Sequence, residues 1–145
     1  MGKNLFLCGP PGCGEIAKLT NNHILGIQMI ASSEGMAIGE KLGMDPKVLM
    51  QILSVSTGRN FCIDSYNPRP GNMENVPAAR NYEGGFQVDL IKKDLGLALE
   101  AANSVGAQTE FGEAAFDTYD SVSKKGFGKK DYSFVFQYIM KNHQL

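Results

Sequence analysis

Two short stretches hold the residues that could do chemistry. The first is Gly9-Pro10-Pro11-Gly12-Cys13-Gly14, which runs into a helical pattern bearing Lys18, Asn21 and Asn22. Positions 18, 21 and 22 are i, i+3 and i+4 of one helix, so a flexible cation and two amides share a face beyond a glycine turn. Glycines at 9, 12 and 14 let the backbone turn sharply and let another group come close. A lysine against a hydroxyl can relay its proton and stabilise charge developing on the oxygen. Burial beside a cofactor would lower its pKa towards the working range. Asn22 can donate and accept hydrogen bonds, and so hold a hydroxyl or a carboxylate. One of two adjacent asparagines must leave the shared face, and Asn21 is expected to turn towards helix packing or a cap. The same residues would also suit a solvated helix face. The second stretch is Phe86-x3-Leu90-x2-Lys93-Asp94-Leu95. Lys93 and Asp94 are neighbours on a helix and start in different directions, so a shared role requires a crowded pocket. Alone, the pair reads as a surface lysine beside an aspartate bonded to a neighbouring loop.

Gly9-x4-Gly14 after an apolar run also opens like a phosphate-binding P-loop. That motif next requires Lys and Ser or Thr for the phosphates and magnesium. Here Glu15 and Ile16 stand in those places. A carboxylate repels phosphate and Ile16 cannot ligate magnesium, so the P-loop reading fails on chemistry.

The elements that position these residues read as helices. Lys3 to Cys8 is expected to be a strand, an orphan without an obvious partner later in the chain, and a lone strand is not a stable unit. From Glu15 to about Leu42 the apolar residues wrap most of the way round, as in a helix buried among others. Gly43 suits its C-terminal cap. Asp45-Pro46 starts a second helix, with Asp as N-cap and Pro at the first position. Prolines 68, 70 and 77 forbid a continuous helix over 67–85, a stretch long enough to suggest a packed or functional excursion. Further helices are expected over about 87–104 and 110–124, and a last one capped by Asp131. The fold class is all-α, five to six helices around a long buried first helix, plus the orphan strand. No internal repeat or low-complexity tract is visible.

The whole chain narrows the function classes. Its 145 residues, 43% hydrophobic and 20% charged, match one ordinary soluble domain with a core of its own. A formal net charge of −1 offers no electrostatic footprint for nucleic acid or an acidic membrane. The three cysteines, Cys8, Cys13 and Cys62, lack metal-ligand spacing and only two histidines accompany them, so reduced thiols and no metal are expected. No apolar run approaches the roughly 20 residues of a membrane span. The first residues carry neither a signal nor a transit pattern, and Phe6 stands where N-myristoylation wants Ser or Thr.

The ordered set Gly9-x2-Gly12-x-Gly14-x3-Lys18-x2-Asn21-Asn22 and Phe86-x3-Leu90-x2-Lys93-Asp94-Leu95-x-Leu97-Ala98 resembles the β-hydroxyacid dehydrogenase family. Gly58-Arg59, Asp64-x-Tyr66-Asn67-Pro68-x-Pro70-Gly71, Asn81-Tyr82-x-Gly84-Gly85-Phe86 and Lys125-Gly126-x2-Lys129-Lys130-Asp131-Tyr132-Ser133 are similar to its 3-hydroxyisobutyrate dehydrogenase branch. They are less like the glyoxylate or tartronate-semialdehyde reductases. The resemblance covers nearly the whole chain and implies the all-α second domain of the 6-phosphogluconate dehydrogenase C-terminal-like fold. Residues 1–12 would then be the last strand of a nucleotide-binding domain plus the hinge, and 13–145 the helical catalytic and dimerisation domain. It implies Lys18 and Asn22 as catalytic residues, Lys93 as a contact to NAD, and Phe86 and Asp94 as borders of the substrate pocket. A hydroxyacid substrate, valine breakdown, a homo-oligomer and the mitochondrial matrix in a eukaryote (cytoplasm otherwise) follow as expectations. Pro10 and Pro11 stiffen the hinge beyond the family pattern. The Gly-x-Gly-x-x-Gly dinucleotide fingerprint has no counterpart in these residues, so this chain alone is expected to bind NAD no tighter than millimolar and to turn over no substrate. The rival readings are a non-catalytic helical dimerisation module and a glyoxylate or succinic semialdehyde reductase domain.

Overall fold

A computed structural model describes residues 5–143, and the statements below concern those residues. The glycine segment acts as the turn its composition demands. Gly9 and Gly12 hold φ of 110° and 97°, and Gly12 is the N-cap of α1, Cys13–Lys41. Gly14 is already helical, with open space where a side chain would stand. Leu5 to Cys8, by contrast, is exposed and forms no strand. A strand needs a neighbour to take up its N–H and C=O groups, and no described segment pairs with this one; Lys3 and Asn4 lie outside the described residues.

Five more helices follow: α2 (Pro46–Val55), α3 (Phe61–Asp64), α4 (Val88–Ser104), α5 (Glu110–Val122) and α6 (Val135–Met140). The all-α reading is correct, and α1 packs against all five. Its burial is one-sided, however. Met29, Ser33 and Met36 are fully buried, whereas Ile16 and Ile38 remain 63% and 61% exposed. The apolar residues that wrap round α1 therefore outnumber those the other helices cover. Asp45 caps α2 as its type predicts, accepting from the Lys47 and Val48 N–H groups at 2.8 and 3.1 Å. At the far end α5 stops at Val122 and widens into a π turn over Ser123–Phe127, because Gly126 leaves helical space with φ 92°. The helix expected from Asp131 begins as a 3₁₀ turn, Tyr132–Phe134, before α6.

The proline-rich stretch between α3 and α4 is a packed excursion containing a 3₁₀ turn, Pro77–Arg80. Asn67 and Pro68 are buried, and the Tyr82 hydroxyl donates to the Pro68 carbonyl at 2.8 Å. Arg69 reaches back to α1 with a two-pronged contact, Nη2 and Nε donating to Glu40 at 2.8 and 3.1 Å.

The Arg69 hydrogen bond, followed by its charge, holds the Glu40 carboxyl below its ordinary value of 4.5 despite partial burial. A carboxyl whose folded pKa is depressed stabilises the fold above its unfolded pKa and loses that contribution as pH falls through the folded one. Glu40→Gln is expected to lower stability by about 1 kcal/mol at neutral pH. Denaturant unfolding at pH 7 and at pH 3 checks this: the gap to wild type should close in acid, and an unchanged gap would exclude the ion pair as its source.

Candidate functional site

The site lies where α1 crosses α4. Asn22 Nδ2 donates to Asp94 Oδ2 at 2.7 Å, joining two residues 72 positions apart. Asn21, exposed, donates to Asn22 Oδ1 at 3.1 Å, so the Asn22 amide is oriented from both ends. Asn21 thus steadies its neighbour rather than serving helix packing or a cap. Lys93 resolves the crowding question by folding back: its Nζ lies 3.3 Å from Asp94 Oδ1, with the lysine side chain 60% exposed and the aspartate 8%. Each Asp94 oxygen therefore has its own partner, which is what a buried carboxylate requires.

Below this polar chain is a pocket of about 280 Å³ lined by Asn22, Leu25, Phe61, Tyr66, Phe86 and Tyr132. Its rings contact one another in series. Centroids are 5.6 Å apart for Phe61–Tyr66, 5.5 Å for Tyr66–Tyr132 and 5.9 Å for Phe86–Tyr132. Burial, followed by neighbouring acid and thiol charges, raises the Tyr132 phenol far above the ordinary tyrosine range. Burial and then Asp131 raise Tyr66 in the same direction. Both stay neutral at physiological pH and serve as walls and hydrogen-bond groups, not as proton acceptors. Burial likewise pushes the Cys62 thiol up to about 12, which removes it as a nucleophile.

Five residues were expected at the site from sequence. Asn22 and Phe86 share the pocket wall, and Asp94 and Lys93 connect to it through Asn22. Lys18 stands one turn before Asn22 on the same face, a rise of about 6 Å, and is exposed. It is not part of the pocket lining. Leu25, Phe61, Tyr66 and Tyr132 were not expected at the site. Leu25 had the signal of its spacing, three residues beyond Asn22 on one helix face; the three aromatics lie at loop and helix ends, where no periodicity marks a face. Among the described residues no group of three or more His, Cys, Asp or Glu side chains could hold a metal ion.

Residues 12–139 match the protein-family model described as NAD-binding of NADP-dependent 3-hydroxyisobutyrate dehydrogenase. The chain belongs to this β-hydroxyacid dehydrogenase family. It corresponds to the family's C-terminal helical domain. It is 47% identical over 139 residues to the human mitochondrial 3-hydroxyisobutyrate dehydrogenase, covering 96% of this chain and 41% of that one. It is 45% identical over 135 residues to an NAD-dependent L-serine dehydrogenase of Pseudomonas aeruginosa, covering 93% and 45%. A solved Mycobacterium tuberculosis 3-hydroxyisobutyrate dehydrogenase with L-serine superposes with a TM-score of 0.87 at 33% identity, over 91% of this chain and 45% of that one. The chain spans less than half the length of these relatives.

Removing Asn22 leaves the buried Asp94 without its amide donor. Asn22→Ala is expected to cost about 1–3 kcal/mol of stability. Asn22→Ala combined with Asp94→Ala should cost less than the sum of the two singles, because the bond can be lost only once. Urea unfolding of the cycle measures this, and strict additivity would mean that the bond contributes nothing.

Proposed function

We propose that these residues are the catalytic helical domain of an NAD-dependent 3-hydroxyisobutyrate dehydrogenase, oxidising the primary alcohol to methylmalonate semialdehyde in valine breakdown. The observation that supports this best is the meeting of Asn22, Asp94 and Lys93 beside an aromatic pocket, on the helix face that bears Lys18. In this reading residues 1–12, which form no strand over their described part, are the end of a nucleotide-binding domain and the hinge, and 13–145 the catalytic and oligomerisation domain. Relatives named as mitochondrial, the human one and one from Dictyostelium discoideum, favour the matrix for a eukaryotic source.

Lys18 holds the proton of the substrate hydroxyl as the carbon–oxygen bond becomes a carbonyl, and its charge stabilises that oxygen in between. Asn22 orients the oxygen, its own amide being fixed by Asn21 and Asp94. Phe86 and Asp94 border the substrate. The apolar walls formed by Leu25, Phe61 and Phe86 suit a methyl branch at the carbon next to the carboxylate. When bound, a nicotinamide dinucleotide supplies the hydride acceptor. The residues present fit one contact of that group: the exposed Lys93 ammonium can donate to its carboxamide, ribose or phosphate oxygens. A chimera carrying this chain in place of the matching segment of the human relative tests the reading. Lys18→Ala should lower its kcat by about 10³-fold with unchanged circular dichroism, and retained turnover would sink the assignment.

A second reading, self-association through the helical domain, is favoured by uncovered apolar surface. A groove of about 400 Å³ between α1 and α5 is lined by Ile27, Ile30 and Phe111, and Phe111 is 77% exposed. Apolar area of this kind marks interaction surfaces. Light scattering at high concentration is expected to give the mass of a dimer or larger; a clean monomer counts against it.

A further inference from the structure

We infer that Asp131, which is not among the residues lining the pocket, is the positioning residue that sets the aromatic rings around the substrate. The inference rests on the catalytic reading above. Asp131 is fully buried. Oδ1 accepts from the Ser133 N–H at 3.0 Å and the Ser133 hydroxyl at 2.5 Å. That half is an ordinary cap for the turn that follows. The other oxygen does something a cap does not need. Oδ2 accepts from the Tyr66 hydroxyl at 2.9 Å and from the Phe86 N–H at 2.8 Å.

Both of those donors belong to pocket residues. The adjacent residue is a third: Tyr132 lines the pocket, and its N–H donates to the Phe86 carbonyl at 2.7 Å. Phe86 is thus held at both ends of its backbone unit, once by the Asp131 carboxylate and once by the next peptide. Three of the four rings come from separate segments: Tyr66 after α3, Phe86 before α4, and Tyr132 before α6. They converge on residues 131 and 132. Gly85 shows how tightly that convergence is built. At φ 71° it takes the left-handed conformation, and a Cβ there would fall 2.7 Å from the Tyr66 hydroxyl and collide with Asp131 Oδ2. Only glycine lets the chain pass the carboxylate and still deliver Phe86 to the pocket.

A residue that acts through others should alter substrate binding more than turnover. In the chimera described above, Asp131→Ala is expected to raise KM for 3-hydroxyisobutyrate about tenfold while kcat falls about threefold or less. Gly85→Ala, which leaves the Ser133 cap in place and crowds Oδ2, should show the same split. Ser133→Ala, which spares both Oδ2 bonds, should leave KM within about twofold. In the chain itself, amide exchange at Phe86 should accelerate in Asp131→Ala relative to Leu95 in the core. Unchanged KM, with kcat falling only in step with the folded fraction, would reduce Asp131 to a cap and overturn the inference. Should neither variant fold, the wild-type chain decides: a scalar coupling across the hydrogen bond from the Phe86 nitrogen to the Asp131 carboxyl carbon is expected, and its absence overturns the inference. Failure of the catalytic reading itself looks different, since an active Lys18→Ala chimera leaves the Phe86 exchange and coupling untouched.

Discussion

The close crossing of α1 and α4 at Gly26 and Leu95 is the constraint on which the rest depends. Leu95 is fully buried, and a Cβ on Gly26 would stand 3.1 Å from its Cδ1. Glycine is costly in a helix interior by about 1 kcal/mol, so its place here is explained by what it admits. Gly26 is one turn after Asn22, and Leu95 is the residue after Asp94. Seating Leu95 on the bare backbone of Gly26 therefore brings Asp94 against Asn22 in the same stroke. The hydrogen bond at the site inherits its register from the core rather than from a mobile loop. A site supported in this way is held by packing as tight as the interior itself.

The same helix has two characters along its length. From Gly26 to Gly39 it is the spine of the core, with small residues under its neighbours and methionines filling the gaps. Between Cys13 and Asn22 no residue is buried, and Lys18 is presented there beside exposed Ile16. One rigid element thus links the core to the lysine proposed to act on the substrate. Any tilt of α1 set by Met29 and Met36 is transmitted over the turns between them and Lys18, because a continuous helix bends little without proline or a bulge.

Much of this was legible in the residues. Asp45-Pro46, Gly43 and Gly106 announce helix ends through capping chemistry that needs no tertiary context, and the structure starts a helix at Pro46 and places turns at both glycines. Lys18 and Asn22 share a face by simple helix arithmetic. What stayed hidden was what needed a third dimension. Phe61, Tyr66 and Tyr132 lie in segments without periodicity, so nothing in their spacing says that the rings meet. Lys93 and Asp94 diverge at their Cα atoms, and only the length of the lysine stem lets the ammonium return to the carboxylate. Asp131 advertises a cap, and its second oxygen takes partners that lie 45 and 65 residues away in the chain. The strand expected at Lys3 to Cys8 is missing over its described part because strand propensity is realised only beside a pairing edge.

In the proposed mechanism the distribution of charge favours the lysine on α1, rather than that on α4, for the reacting oxygen. Asp94 is the nearest acid built into the site, and its two oxygens are already taken by Asn22 and Lys93. Lys18 enters neither bond. Had Asp94 faced Lys18 instead, the pair would have been mutually neutralised, and a substrate oxygen would have competed with a fixed carboxylate for the ammonium. Charge aimed at a developing oxyanion contributes most when no counter-charge is bound to it beforehand. Lys93 has the opposite arrangement, an ammonium with a resident acid at 3.3 Å, which fits a group that grips a ligand and not one that handles a proton. The neutral aromatic wall completes the separation: its phenols stay protonated, so in the proposed mechanism the mobile proton falls to Lys18, which stands outside the pocket lining and enters neither Asp94 bond.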